Sequence, residues 1–333
     1  MKLLADSSLP FLNCFESSFD VTLFSDETSL KANLEHHDIL VCRSTLNVNQ
    51  ALLENASIQC VATASSGVDH IDIDFLETQG IALFDAKGCN ARAVTDYILS
   101  SIAYLMQSGH VIESPIGIMG VGMVGRLVAR QLEALHFKTR CYDPPRMQRE
   151  PGFVSCSLDE LIACNVILIH ANLHRHHEWP TEHFINADFL NRLAPHSILI
   201  NAARGNIVEE SALLNANPSL IYCTDVYACE PNINPLIIAR ATLCTPHIAG
   251  HSIEGKLNAV KMLYHKLCER YERPLDASIQ LSPQHLLAFS EPWPNQVLKA
   301  YSPINETQKL KTSRDKKSAF LNLRKAHSKR HEF

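Results

Sequence analysis

The chain reads as an α/β protein in which a doubly wound parallel sheet is inserted into a second, smaller α/β domain. Three observations predict this. Short apolar runs recur along the first 250 residues with helix-compatible segments between them, the pattern of parallel strands joined by crossover helices. One run, Pro115 to Met119, opens onto glycines at 120, 122 and 125. A lone acidic residue, Asp143, ends the next apolar run, 18 residues past Gly125 and 23 past Gly120.

Taken in order, Lys2–Ala5, Val21–Phe24, Asp38–Cys42, Gln59–Ala64 and Ile81–Asp85 predict five strands of a first, flavodoxin-like sheet. A long helix-like stretch, Ala91 to Gln107, leads into the glycine strand, and Val124 to Phe137 reads as the helix that follows it. Lys138–Tyr142, Val166–His170, Ser197–Asn201, Leu220–Asp225 and Ala241–Cys244 continue the strand pattern. Together they predict one Rossmann-type domain over residues 92–251. A helix over Ser252–Glu272 then returns the chain to the first domain, residues 1–91 with 252–280, and a substrate cleft is expected between the two domains. Past Arg273, prolines at 274, 283, 292, 294 and 303 break the pattern, so residues 281–333 read as a short C-terminal extension with one helix, Lys316–Arg330.

Composition narrows the function classes. With 333 residues, 46% hydrophobic and 20% charged, there is material for two ordinary cores. Eleven cysteines occur without a C-x-x-C pair, which suits a reducing cytoplasm better than a zinc or disulfide framework. The first residues, Met1 to Asp6, turn polar too early for a signal peptide, and no run reaches the roughly 18 apolar residues of a membrane span. The net charge of −5 is uneven, because residues 309–330 hold nine Lys or Arg against Asp315 alone. Only Phe320 interleaves with those charges, so a solvated or interface helix is expected rather than a nucleic-acid surface.

The glycines have a ligand-binding reading. Gly120 permits a tight turn, Gly122 admits a pyrophosphate to the backbone, and Gly125 lets the helix pack on the strand with its first amides toward the phosphates. Asp143 would accept hydrogen bonds from a ribose 2′-hydroxyl and repel a 2′-phosphate, which favours NAD over NADP. Further along, three residues at strand ends supply what oxidation of a 2-hydroxy acid requires. Arg204 in N-A-A-R-G can clamp a carboxylate. His247 in T-P-H-I-A-G-H-S can take a proton near neutral pH. Glu230 in D-V-Y-A-C-E-P can orient the imidazole and stabilise its charge.

The run from Gly117 to about Ser252 resembles the NAD-dependent D-2-hydroxyacid dehydrogenases, whose Arg, Glu and His catalytic residues match Arg204, Glu230 and His247. Segments 41–49, 63–72, 88–97, 142–146 and 245–252 are similar to a branch of that family acting on a phosphorylated hydroxy acid. The resemblance implies substrate contacts by Ser44 and Ser65. It places Met123, Val124, Asp143, Ala171, Ala202, Ala203, Asp225, Gly250 and His251 around NAD with Arg204 and the three glycines. Residues 320–333 are similar to part of a dimerisation domain, which implies a homodimer. A phosphorylated substrate needs a second anion site, for which Arg43 beside Ser44 is the candidate, with Lys87 or Arg92 as further cations. The histidine cluster at 174, 176 and 177, with His170 and His183 nearby, is expected to lie in a solvent loop and not to form a metal site, since hydride transfer to NAD requires no metal. The same residues could serve another 2-hydroxy acid, such as glycerate or phosphoglycerate, or an NAD-sensing interaction protein without turnover.

Overall fold

The computed structural model describes residues 1–175, 178–282, 292–327 and 330–333. Two compact units divide the chain: Met1–Asn90 with Ser252–Gln284, and Ala91–His251 with His285–Phe333.

The first unit holds a sheet of β1 (Lys2–Asp6), β2 (Asp20–Phe24), β3 (Ile39–Cys42), β4 (Cys60–Thr63) and β5 (Ala82–Asp85). All pairs are parallel, in the order β2-β1-β3-β4-β5, the flavodoxin-like order. Leu3, Ile39, Val41, Cys60 and Ala62 face Val260, Leu263, Tyr264 and Leu267 of helix Ile253–Arg270. Leu4, Leu40, Cys42 and Val61 face the opposite way, onto Leu30, Leu34, Leu53 and Leu76. Both faces are covered, which is why these strands read as continuous apolar runs and not as alternating ones. Helix Ile253–Arg270 starts where Ser252 accepts the Gly255 amide at 2.8 Å, an ordinary serine cap.

The second unit holds β6 (Ile116–Met119), β7 (Thr139–Tyr142), β8 (Val166–Ile169), β9 (Ile198–Asn201), β10 (Ile221–Thr224) and β11 (Leu243–Cys244). They are parallel in the order β11-β10-β9-β8-β6-β7. The order reverses at β6, between β7 and β8, and such a switch point opens a crevice at the carboxyl ends of the strands. Beyond β7 the following segment pairs with it, with the Cys156 amide donating to Cys141 O at 2.8 Å and the Asp143 amide to Ser155 Oγ at 2.9 Å. Helix Ala91–Gln107 is buried along nearly its whole length. The helix expected to reach Phe137 stops at Ala134, because His136 takes a positive φ of 65°, a left-handed residue that ends a helix.

The C-terminal extension departs from expectation. Helices Trp293–Ala300 and Ile304–Thr312 precede Lys316–Ala326. Pro294 stands in the first turn of one and Pro303 at the N-cap of the next, where a missing N–H costs nothing, so these prolines start helices instead of breaking them. Val297 and Tyr301 join the core on one face of the second sheet, and Leu310 and Phe320 join the core on the other. Among the described residues no helix is long and apolar enough to cross a membrane, and all eleven cysteines are free thiols.

Candidate active site

The glycine turn after β6 is set by close backbone contacts at two of its three glycines. Gly120 has φ of 85°, and a Cβ there would lie 2.4 Å from the Ala171 amide nitrogen. A Cβ on Gly125 would fall 2.1 Å from Gly120 O. Both glycines are therefore required by the fold itself. Gly122 is different: a Cβ there would meet no atom within 4 Å. It is also the N-cap of helix Met123–Ala134, which no side chain caps. Its lack of a side chain is thus unexplained by protein packing and fits a pyrophosphate laid on the backbone. Met123 and Val124 form the first turn of that helix, and Ala171 follows β8 against Gly120.

Asp143 follows β7. Its carboxylate accepts from the Val121 amide at 2.8 Å and, as N-cap of helix Pro144–Arg149, from the Arg146 amide at 3.0 Å. The nearby cation is engaged elsewhere: Arg146 forks onto Glu150 with two contacts of 2.7 Å and donates to Val121 O at 2.8 Å. That fork raises the arginine's affinity for its proton. These residues therefore fit an NAD ribose better than a 2′-phosphate.

At the other strand ends the structure brings Glu230 and His247 together. His247 Nδ1 lies 2.6 Å from Glu230 Oε2. Burial pushes the Glu230 pKa up, but the His247 charge and hydrogen bond, with the Tyr227 amide at 3.0 Å, outweigh it and hold the carboxyl below its usual range. His247 has a positive φ of 56°, strain that its surroundings must support. Its amide donates to Asp225 O at 2.7 Å. The Asp225 carboxylate is buried and accepts from Thr245 Oγ1 at 2.7 Å and from the amides of Ile248 and Ala249, both at 2.8 Å. Asp225 thus binds the loop that carries His247, with Gly250 and His251 closing the turn through a His251 amide to Ile248 O bond of 2.9 Å.

Arg204 follows β9 after Ala202 and Ala203. Its Nη1 donates to Ala203 O at 2.8 Å, and its carbonyl accepts from Asn201 Nδ2 at 3.0 Å. Gly205, which the sequence reading passed over, sets the approach of this segment. A Cβ there would lie 1.9 Å from the Tyr227 carbonyl carbon, so the Arg204 turn rests against the turn leading to Glu230. The R-G pair was the available signal.

In the first unit, Arg43 Nε lies 2.7 Å from Asp6 Oδ2, and Ser44 is exposed in a turn closed by the Leu46 amide on Arg43 O at 3.1 Å. Ser65 Oγ is 2.7 Å from Thr63 Oγ1, and Lys87 is exposed. Arg92 lies in the second unit, buried, with Nε 2.9 Å from Asp96 Oδ1. A cation that sequence reasoning missed is Lys256, whose ammonium is pushed below its ordinary value by burial and by the charge of Arg43. Of the histidine group, His176 and His177 lie outside the described residues. The His174 amide donates to Thr181 Oγ1 at 2.9 Å. The described residues hold no group of three or more potential metal ligands. His170, after β8, has both ring nitrogens buried without a hydrogen-bond partner, and burial pushes its pKa down to about 4.

Comparison with known proteins bears on the whole chain. Residues 102–249 match the family model for the NAD binding domain of D-isomer specific 2-hydroxyacid dehydrogenases. Erythronate-4-phosphate dehydrogenase of Legionella pneumophila (strain Lens) is 45% identical over 334 residues, covering 100% of this chain and 95% of that protein. Its namesake in Pseudomonas fluorescens (strain Pf0-1) is 36% identical over 84% of this chain and 75% of that protein. Among solved structures, the NAD+-bound 3-phosphoglycerate dehydrogenase of Entamoeba histolytica has the same fold at a TM-score of 0.69 and 21% identity, over 86% of this chain and 99% of that one. The NAD complex of a formate dehydrogenase from Staphylococcus aureus matches at 0.64 and 23%, over 83% and 98%. The chain belongs to the erythronate-4-phosphate dehydrogenases, a branch of the NAD-dependent D-isomer specific 2-hydroxyacid dehydrogenases.

Proposed function

We propose that this enzyme oxidises C2 of 4-phospho-D-erythronate to (R)-3-hydroxy-2-oxo-4-phosphooxybutanoate in the synthesis of pyridoxal 5′-phosphate, vitamin B6. The observation that carries the reading is the 2.6 Å His247–Glu230 pair in a chain 45% identical, end to end, to an enzyme of that name. When bound, NAD supplies the hydride acceptor. Gly120, Gly122 and Gly125 would hold its pyrophosphate and Asp143 its ribose, with Met123, Val124, Ala171, Ala202, Ala203, Gly250 and His251 completing its surroundings.

The remaining chemistry belongs to the protein's side chains. His247 takes the C2 hydroxyl proton at Nε2, since Nδ1 faces Glu230. Glu230, held as a carboxylate, compensates the imidazolium that forms and keeps the ring oriented. Arg204 pairs with the substrate carboxylate. Ser44, Ser65 and Arg43 bind the substrate's other end, with Arg43 matched to the phosphate and Lys256 adding positive charge.

Steady-state NADH formation across a panel tests this: 4-phospho-D-erythronate, glycerate, phosphoglycerate and unphosphorylated erythronate. The expected result is a kcat/KM for the first that exceeds every other member. Preference for another hydroxy acid would move the substrate assignment, and no turnover with any would favour a nucleotide-sensing role. We also assign a homodimer, held through the C-terminal extension, where Leu321 is 47% exposed on helix Lys316–Ala326. Light scattering at micromolar concentration checks the state. A cytoplasmic location accords with eleven free thiols.

A further inference from the structure

Arg330 is only 9% exposed, and its hydrogen-bond acceptors are carbonyl oxygens. Its Nε donates to His251 O at 3.0 Å, and its Nη2 donates to Ala93 O at 3.0 Å and to Ala249 O at 2.6 Å. The guanidinium carbon stands 4.5 Å from the centre of the Tyr301 ring. Burying a guanidinium is costly unless its donors are satisfied. Here the carbonyls of the loop that follows His247 and a helix-start carbonyl satisfy Nε and Nη2, and a ring face lies beside the plane, while Nη1 is buried without a hydrogen-bond partner.

That loop is gripped from two sides. The Ala249 amide donates to buried Asp225, while the Ala249 carbonyl accepts from Arg330. Immediately before this clamped stretch comes His247, at a φ of 56° and 2.6 Å from Glu230. A strained residue keeps its conformation only where its neighbours over-determine it. Asp225 secures the amide edge of the loop, and nothing in that grip fixes the carbonyl edge.

We infer that Arg330 is a positioning residue for His247: its planar fork holds the Ala249 and His251 carbonyls and thereby the imidazole in the geometry that proton transfer needs. Arginine suits the task because its donors are arranged in a rigid plane, whereas the lysine ammonium is a single point. The C-terminal extension then serves the reaction as well as packing. This inference rests on the reading of His247 as proton acceptor.

Arg330→Lys and Arg330→Met test it, alongside Leu310→Val, which loosens the same extension in its core away from the loop. Both Arg330 variants should lose about tenfold or more in kcat with the KM for NAD within roughly threefold of wild type, and their kcat–pH profiles should shift. Leu310→Val should lower Tm with kcat and profile unmoved. A folded Arg330→Lys with wild-type kcat and pH profile overturns the inference, as does the same kcat loss and profile shift in Leu310→Val. If Arg330→Met does not fold, Arg330→Lys decides alone. His247→Gln separates the two readings. Full turnover in that variant removes the proton-acceptor assignment. Loss there with wild-type behaviour in Arg330→Lys removes only the role of Arg330.

Discussion

At the scale of single residues, the carboxylates of Asp143, beside the glycine turn, and Glu230, beside His247, act through different contacts, and substitutions should separate them. Replacing His247 with Ala removes the proposed proton acceptor, so turnover should fall by roughly two orders of magnitude or more while NAD binding, followed by fluorescence, changes little. Glu230→Gln keeps a hydrogen-bonding group 2.6 Å from the imidazole but removes the charge that stabilises its protonated form. The kcat–pH profile should therefore move more than the KM for substrate does, and an unmoved profile would uncouple Glu230 from the base. Asp143 needs a gentler variant. Its carboxylate caps helix Pro144–Arg149 and holds the Val121 amide, so Asp143→Ala would mix a capping loss of about 1 kcal/mol with any change in cofactor choice. Asp143→Asn keeps an acceptor for the cap and removes the charge proposed to repel a 2′-phosphate. The ratio of NAD to NADP kcat/KM should narrow in that variant, and a ratio unchanged from wild type would move the selectivity to another residue.

At the scale of elements, the three glycines of one turn carry different consequences. Gly120 and Gly125 are held by their own backbone, with would-be Cβ atoms at 2.4 and 2.1 Å from main-chain atoms, so alanine at either should destabilise the fold. Gly122→Ala should leave Tm close to wild type, because open space surrounds it, yet raise the KM for NAD by about tenfold or more. A wild-type KM would show that the pyrophosphate does not lie on that residue. Elements of this kind were legible in advance. Apolar runs located the eleven strands of the described residues to within two residues, most plainly where a strand is buried on both faces and has little else to be. The glycine spacing marked the turn because backbone geometry demands glycine at 120 and 125. The helices Trp293–Ala300 and Ile304–Thr312 were missed because proline carries opposite meanings at a helix start and in a helix interior, and composition cannot tell which applies. Arg330 was hidden for a related reason. It is one of nine cations in a basic tail, and only tertiary contacts show that it is buried.

At the scale of the whole molecule, buried titratable groups link global stability to pH, and their signs differ. His170 is harder to protonate in the folded chain, at about 4, than in the unfolded chain near 6.5, because burial removes its ring nitrogens from water. Between those values the unfolded state binds more protons, so acid favours unfolding. The contribution of His170 is complete above 6.5 and is lost as pH falls toward 4, at no more than about 1.4 kcal/mol per pH unit. Glu230, held below the usual carboxylate range, loses its contribution in the same direction but only at more acidic pH. Asp96 acts oppositely. Burial pushes its carboxyl up to about 7, and Arg92 beside it pulls it only partly back, so the folded chain binds the extra proton and Asp96 favours folding as pH drops below 7. A wild-type Tm curve sums these terms and identifies none of them. Difference curves do. Subtracting the Tm of His170→Leu from that of wild type should give a difference that becomes steadily more negative between pH 6.5 and 4.5, since leucine cannot take up a proton at a site that offers the imidazole no hydrogen-bond partner. The same subtraction for Asp96→Asn should slope the other way below pH 7. A flat difference curve for His170→Leu would mean that the imidazole titrates alike in both states, and its ring would then have to reach water or a hydrogen-bonding partner in solution.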